Sequence, residues 1–354
     1  MLDLKLIRSK PELIAENCRK RNVNVDIEKL LKLDEKVRQT TTEVDSFRQS
    51  RNDISNKMKG NLSAEERQPL IEESKQLRDQ EAEKESVLRE LTEQRLELLK
   101  QVPNLTHPDS PEGLTDEDNQ PIRKMGTIPE FDFEPKDHVE LMEALDLIDF
   151  DGGAKVSGQK FYFLKNQAVF LELALANYAL DLLQKEGFTV HMTPDLARHQ
   201  ILDGIGFNPR GEETQIYSVE DFDLCLIATA EITLGGLLVD QVLDPERLPI
   251  MYAGFSHCYR TEAGAAGRES RGLFRVHQFS KVEMFAFTHP DQSEEMHQKM
   301  LAIEEQIYQD LGIPYQVVNI CSGDLGGPAY RKYDLEAWMP GRGKWGEVTS
   351  TSNC

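Results

Sequence analysis

The chain has 354 residues, 39% of them apolar and 29% charged, which suggests two domains or so and allows a sizeable core. No apolar run approaches bilayer length, and the charged N-terminus lacks a signal-like apolar core, so membrane and secreted classes are disfavoured and a cytoplasmic protein is expected. The net charge of −21 argues against a general nucleic-acid binder, but residues 1–102 hold 21 basic and 21 acidic side chains, so the remainder carries the whole excess.

Residues 1–104 read as a helical arm. Over residues 27–59 one apolar seam runs Leu30, Val37, Val44, Arg51, Met58 and the other runs Leu33, Thr40, Phe47, Ile54. A second run has Leu70, Leu77, Leu91 and Leu98, with Leu88 and Val102 on the other seam and Lys84 as an interruption. A strict seven-residue period favours a coiled coil. Gly60-Asn61 marks a turn between the runs, and Ser63 three residues before Glu66 has capping-box spacing. The expectation is an antiparallel hairpin over 27–102, with about 32 residues per helix and a reach of roughly 45–50 Å. It serves either as a dimerisation or spacer coiled coil, or as an arm that holds an extended partner. Arg48, Arg51, Lys57 and Lys59, near the tip, could meet phosphates; solvated flank charge gives the same pattern.

Residues 105–130 contain Pro103's successors Pro108, Pro111, Pro121 and Pro129 and an acidic run at 116–118, and read as a linker. Residues 131–354 form the body. A helix is expected over 167–186 with Gly187 as its stop, then a short strand over 188–192. Further strands are expected over 224–228, 281–287 and 315–320, and a helix over 292–311. Strands follow one another or long loops without regular strand–helix alternation, which favours an α+β fold with an antiparallel sheet. The five cysteines, 18, 225, 258, 321 and 354, are at least 33 residues apart, so no zinc-ribbon or Cys-x-x-Cys spacing exists and reduced, structural thiols are expected.

No phosphate-loop, dinucleotide-binding or His-Glu-x-x-His motif is present. The informative stretch is 255–283. Within 257–281 five basic residues face two acidic ones, a net +3 island in an acidic body. Small residues form its centre and strand-like flanks enclose them. Arginines on such a hairpin suit a polyphosphate, because guanidinium forks match phosphate oxygens two at a time. Arg260 and Glu262, two apart, would share one strand face and suit a ligand with both an anion and an amine. The bland alternative is a solvated surface hairpin.

At these residues the chain resembles a bacterial-type seryl-tRNA synthetase, from end to end. Residues 167–194 resemble the family's motif 1 and 255–284 its motif 2. The resemblance implies a class II synthetase antiparallel sheet flanked by helices, with an N-terminal coiled-coil arm. It implies that L-serine and ATP form seryl-adenylate, and that serine then passes to tRNA(Ser), with tRNA(Sec) a second candidate acceptor. It implies a homodimer and an arm that holds the tRNA. By the same resemblance Arg260, Glu283 and Arg275 are the catalytic set. Arg260 would bind the α-phosphate and the serine carboxylate, and Arg275 the γ-phosphate. ATP would meet Thr261, Glu262, Val276 and Phe279, and then Glu347, Val348, Thr349 and Ser350. Serine would meet Thr229, Ala230, Glu231, Arg260 and Glu283. Glu347 and Ser350 would lie near Mg²⁺.

One departure stands out. The family's motif 3, a final strand and helix with an ATP-binding arginine, is not found before Cys354. The expectation is that this chain alone is inactive or barely active while a longer parent is a full synthetase. Two rival readings are a synthetase-like ligase that charges a carrier protein, which the arm counts against, and a non-catalytic protein that retains the fold.

Overall fold

The seven-residue repeat folds into two long helices, in a computed structural model whose described residues are 1–60, 62–207, 216–262 and 272–354. These residues divide into two compact units, Met1–Thr106 and His107–Cys354. In the first, α1 (Leu4–Ser9) and α2 (Pro11–Lys20) precede α3 (Ile27–Met58) and α4 (Ala64–Gln101). Asn61 of the expected turn lies outside the described residues. The Ser63–Glu66 capping box forms: Glu66 N donates to Ser63 Oγ at 3.3 Å and Ser63 N donates to Glu66 Oε2 at 2.9 Å. Helix α4 therefore starts before Pro69 and reaches 38 residues, more than expected.

Leu30, Leu33, Val37, Thr40, Val44 and Ile54 are buried along α3, as the seams require. Leu30 packs with Leu99 and Val102 of the returning chain and with Ile7, Ile14 and Cys18. Each such fully buried aliphatic side chain stabilises by about 1.5–3 kcal/mol. The charged interruptions of the two seams find partners across the hairpin. Arg51 of α3 pairs with Glu81 of α4, and Arg48 reaches the same carboxylate at 3.3 Å and Glu85 at 2.6 Å. Lys84 pairs with Glu43 at 2.5 Å, and Arg95 with Asp34 at 2.9 Å. Partners descend α4 as they climb α3, so the helices are antiparallel. Arg48 and Arg51, read as possible phosphate contacts, are thus engaged inside the arm. Charged pairs at seam positions specify register, because a slipped register would bury them unpaired.

The second unit contains two ladders that carry the site. In the first, β1 (Gln120–Met125) lies at the edge, then β10 (Tyr315–Asn319), β11 (Arg331–Met339) and β12 (Lys344–Asn353), all antiparallel. Part of the stretch read as a linker, 105–130, is therefore a strand. Its Pro121 is tolerated because β1 is an edge strand and the register shifts between Pro121 and Arg123. Short elements follow β1: α5 (His138–Ala144), β2 (Ile148–Asp149), α6 (Phe150–Ser157) and β3 (Phe163–Leu164). Helix α7 (Gln167–Lys185) leads into β4 (Thr189–Met192).

The second ladder has the order β4, β8 (Ile250–Tyr259), β9 (Gln278–Phe287). Strands β8 and β9 are antiparallel across ten residue pairs, from Ile250–Phe287 to Tyr259–Gln278. Strand β4 pairs with β8 in parallel, beside ladders that are otherwise antiparallel as expected. The connection between them, residues 193–249, is long enough to bring the chain back in the same direction. It holds β5 (Leu196–Ala197), α8 (His199–Ile205), β6 (Tyr217–Ser218), β7 (Cys225–Leu226) and α9 (Ala230–Gly236). Helix α10 (Ser293–Asp310) packs on β11 and β12. Cys18, Cys225, Cys258 and Cys321 are buried, and Cys354 is exposed.

Candidate active site

The site grows from the end of the β8–β9 ladder. Along β9, Phe279, Lys281 and Glu283 alternate onto one face. Glu283 stands opposite Gly254 of β8. A Cβ at Gly254 would sit 3.0 Å from side-chain carbons of Leu234 and Thr193 and 3.2 Å from that of Ala230, so glycine here lets α9 approach this strand without crowding. That approach brings Thr229, the N-cap of α9, to Glu283: its hydroxyl donates to Glu283 Oε2 at 2.6 Å. Thr229 Oγ1 also accepts from Glu231 N at 3.2 Å, and Ala230 between them is fully buried.

Glu231, Glu283, Arg260 and Lys281 form one electrostatic cluster. Burial pushes the Glu231 carboxyl up to about 7, and neighbouring Glu283 adds to the rise while Lys281 and Arg260 oppose it. Lys281 forms an ion pair with Glu283. Lys281 was missed from sequence; its spacing of two from Glu283 on a strand was the available signal. The Arg260 guanidinium lies 5.1 Å over the Phe279 ring, and its Nε donates to Ala228 O at 3.4 Å. A cation over an aromatic face is attracted by the ring quadrupole. Val276 is buried.

Strand β8 ends at Tyr259, so Arg260, Thr261 and Glu262 lie beyond the ladder and Glu262 has φ of +50°. The strand-face argument for Arg260 and Glu262 therefore fails, because alternation holds only inside an extended strand. Glu262 instead meets Arg275, Nη1 to Oε2 at 3.2 Å. The loop centre of the motif 2 region, with Arg268 and Arg271, lies outside the described residues.

The remaining predicted residues lie on β12. Its partners run Asp334–Ser350, Leu335–Thr349 and then Glu336–Glu347, so Val348 is the extra residue of a bulge. Glu347 and Ser350, three apart, would face opposite ways in a regular strand. The bulge puts them on one face, with Asp334 and Glu336 beside them. Burial, aided by Glu347, raises the Asp334 carboxyl to about 7 against the pull of Lys332, whose Nζ is 3.0 Å away. Thr349 points the other way and donates to Glu304 Oε1 of α10 at 2.9 Å. Burial raises Glu304 to about 8, with Glu283 and Asp334 adding to the rise. Among the described residues no group of three or more His, Cys, Asp and Glu side chains is arranged to hold a metal ion. Magnesium needs only one or two protein oxygens when substrate phosphates complete its shell, so the oxygen donors on the Glu347–Ser350 face fit it.

The arrangement can hold an amine and a hydroxyl at Thr229, Glu231 and Glu283, beside cations suited to a carboxylate and phosphates. Residues 1–106 match the family described as seryl-tRNA synthetase N-terminal domain. Residues 217–354 match the tRNA synthetase class II core domain (G, H, P, S and T). The chain is 53% identical to the serine--tRNA ligase of Treponema denticola, over all of this chain and 84% of that protein. It is 56% identical to the serine--tRNA ligase of Rubrobacter xylanophilus, over all of this chain and 83% of that protein. Among solved structures, seryl-tRNA synthetase from Pyrococcus horikoshii complexed with ATP superposes with a TM-score of 0.88 at 40% identity, over all of this chain and 84% of that one.

Proposed function

The chain belongs to the seryl-tRNA synthetase family, and from that premise we propose how its residues join serine to tRNA. The carrier-protein and non-catalytic readings are not favoured by relatives this similar over the whole chain. The observation that carries the assignment of residues is the Thr229–Glu283 contact, part-buried beside Glu231 and flanked by Arg260 and Lys281.

Serine's ammonium and hydroxyl bind at Thr229, Glu231 and Glu283. Its carboxylate turns toward Arg260. ATP lies with its adenine against Phe279 and Val276 and its exocyclic amine toward Glu262, within reach of Thr261. In the reaction a serine carboxylate oxygen forms a bond to the α-phosphorus while the bond from that phosphorus to the bridging oxygen breaks, and pyrophosphate leaves. The nucleophile is already ionised, so no general base is needed. Alignment of two anions and neutralisation of charge supply the rate. Arg260 does both at the α-phosphate, and Arg275 leaves Glu262 to meet the γ-phosphate. Glu347 and Ser350, with Val348 and Thr349 shaping the same segment, would hold Mg²⁺ against the phosphates, and that ion supplies charge neutralisation when bound. A hydroxyl of the terminal adenosine of the tRNA then attacks the seryl carbonyl carbon and AMP departs.

The arm is the tRNA-holding element in this reading. A homodimer is proposed as well: Phe170, Leu171 and Leu173 of α7 and Met192 of β4 are exposed, Met192 at 84%, in the segment that resembles motif 1. A cytoplasmic setting follows from the tRNA substrate, and no described helix is long and apolar enough to cross a membrane.

The test is affinity for non-hydrolysable aminoacyl-adenylate analogues, measured by calorimetry on the full-length protein. The seryl analogue is expected to bind at least about a hundredfold more tightly than the alanyl one, because alanine leaves the polar pocket unpaired. Equal affinities would refute the assignment.

A further inference from the structure

In an antiparallel ladder, a hydrogen-bonded residue pair exchanges both of its N–H···O bonds. The next pair beyond Tyr259–Gln278 is Arg260–His277, and here only one of the two bonds forms. Arg260 N donates to His277 O at 3.0 Å. The reciprocal donor, His277 N, is diverted to Lys160 O at 3.2 Å. In its place the imidazole of His277 itself reaches Arg260 O, with Nδ1 2.8 Å away. The Tyr217 hydroxyl is 3.0 Å from the same nitrogen. The ring is steadied by Phe161, whose centroid is 5.2 Å away at a tilt of 35°.

A carbonyl oxygen only accepts, so Nδ1 must carry a proton to meet Arg260 O. The Tyr217 hydroxyl then cannot donate to that nitrogen and meets its N–H through oxygen. The side chain replaces the missing ladder bond at the residue where the chain leaves β8. The guanidinium of Arg260 is anchored separately, on Phe279 and Ala228 O. Contacts at both ends of the residue therefore define where its charge points.

We propose that His277 is a positioning residue that aims Arg260 through its Nδ1–H. The inference rests on the role given to Arg260 in the proposed function. It assigns His277 no contact with substrate.

The experiment is serine-dependent ATP–pyrophosphate exchange on full-length variants, with Arg260→Ala alongside. Asn places its amide nitrogen near the position of Nδ1, whereas Gln places it near Nε2. His277→Ala, His277→Phe and His277→Gln are expected to lower kcat/KM by about 10- to 100-fold, the loss of one aligned charge contact. His277→Asn is expected to recover activity to within about threefold of the parent, since the same donor–acceptor bond is restored. Full activity in His277→Phe, or an Asn variant as poor as the Ala variant, overturns the proposal. If Arg260→Ala retains exchange, the site assignment fails instead. Nitrogen-15 NMR of the unsubstituted protein at pH 8 decides the matter without a variant. A protonated Nδ1 and a bare Nε2 on His277 support it, and the opposite tautomer overturns it.

Discussion

The arm and the body both bury carboxylates, and they treat them in opposite ways. In the arm Asp34, 1% exposed, is met by Arg8, Arg38 and Arg95 at 3.0, 3.3 and 2.9 Å. Glu81 is met by Arg51 and Arg48, and the hydrogen bond from Arg51 holds its carboxyl below the usual range. In the body Glu231, Glu304 and Asp334 lie near other carboxylates, with Lys281 and Lys332 as partial compensation, and all three are pushed up by burial. Buried charge that is matched cation for anion specifies a fold. Buried charge held in like-signed company raises the energy of the empty site, and a ligand that brings its own cation relieves it.

The largest expected effect lies in the body. Glu283→Ala should remove at least about a hundredfold of serine-dependent ATP–pyrophosphate exchange in the full-length enzyme, the scale of one lost charge contact at a reacting centre. The melting temperature should change little, because a like charge beside Glu231 is removed while Lys281 and Thr229 lose a partner. Near-normal exchange would sink the assignment, and a large fall in melting temperature would make Glu283 a structural residue like those of the arm.

The arm should answer in reverse. Asp34→Ala leaves three arginines without their shared anion and should cost about 3 kcal/mol in denaturant unfolding, the lower end for breaking a buried pair. Serine-dependent ATP–pyrophosphate exchange should not change, since that step needs no arm. A loss of exchange with unaltered stability would erase the contrast.

A smaller effect sharpens it. The Glu304 carboxyl is raised from 4.5 to about 8 in the folded protein. The folded state therefore holds a proton that the unfolded state releases across that window. The stability from this group is full below pH 4.5 and is lost as pH rises through 8. Glu304→Gln keeps an acceptor for Thr349 and cannot ionise. Its melting temperature should fall less steeply than the parent's between pH 5 and 8, and parallel curves would count against a protonated Glu304.

Much of the arm was legible because its signal is local. Leu30, Val37 and Val44 recur at heptad spacing on one helix, and Ser63 caps a helix three residues from Glu66, so neither reading needs a distant residue. The site was legible through a resemblance of residue types in order, which named Thr229, Arg260 and Glu283 without saying how they meet. The strand-face argument for Arg260 and Glu262 failed because nothing local marks Tyr259 as the last residue of its ladder. The prolines of 105–130 hid β1 because an edge strand tolerates a proline that an interior strand does not.

By itself, then, the sequence determined the helices and the chemical inventory, since helical period and capping act over three to seven residues. Only the tertiary structure decided which charges neutralise one another. Arg51 looks like a flaw in its seam until the hairpin closes and brings Glu81 to it. Glu347 and Ser350 share a face only because of a bulge set by the register against β11. The His277 ring meets the Arg260 carbonyl while its backbone N–H turns to Lys160. Each of these depends on residues far apart in the chain, and their spacing carries no local period that could announce them.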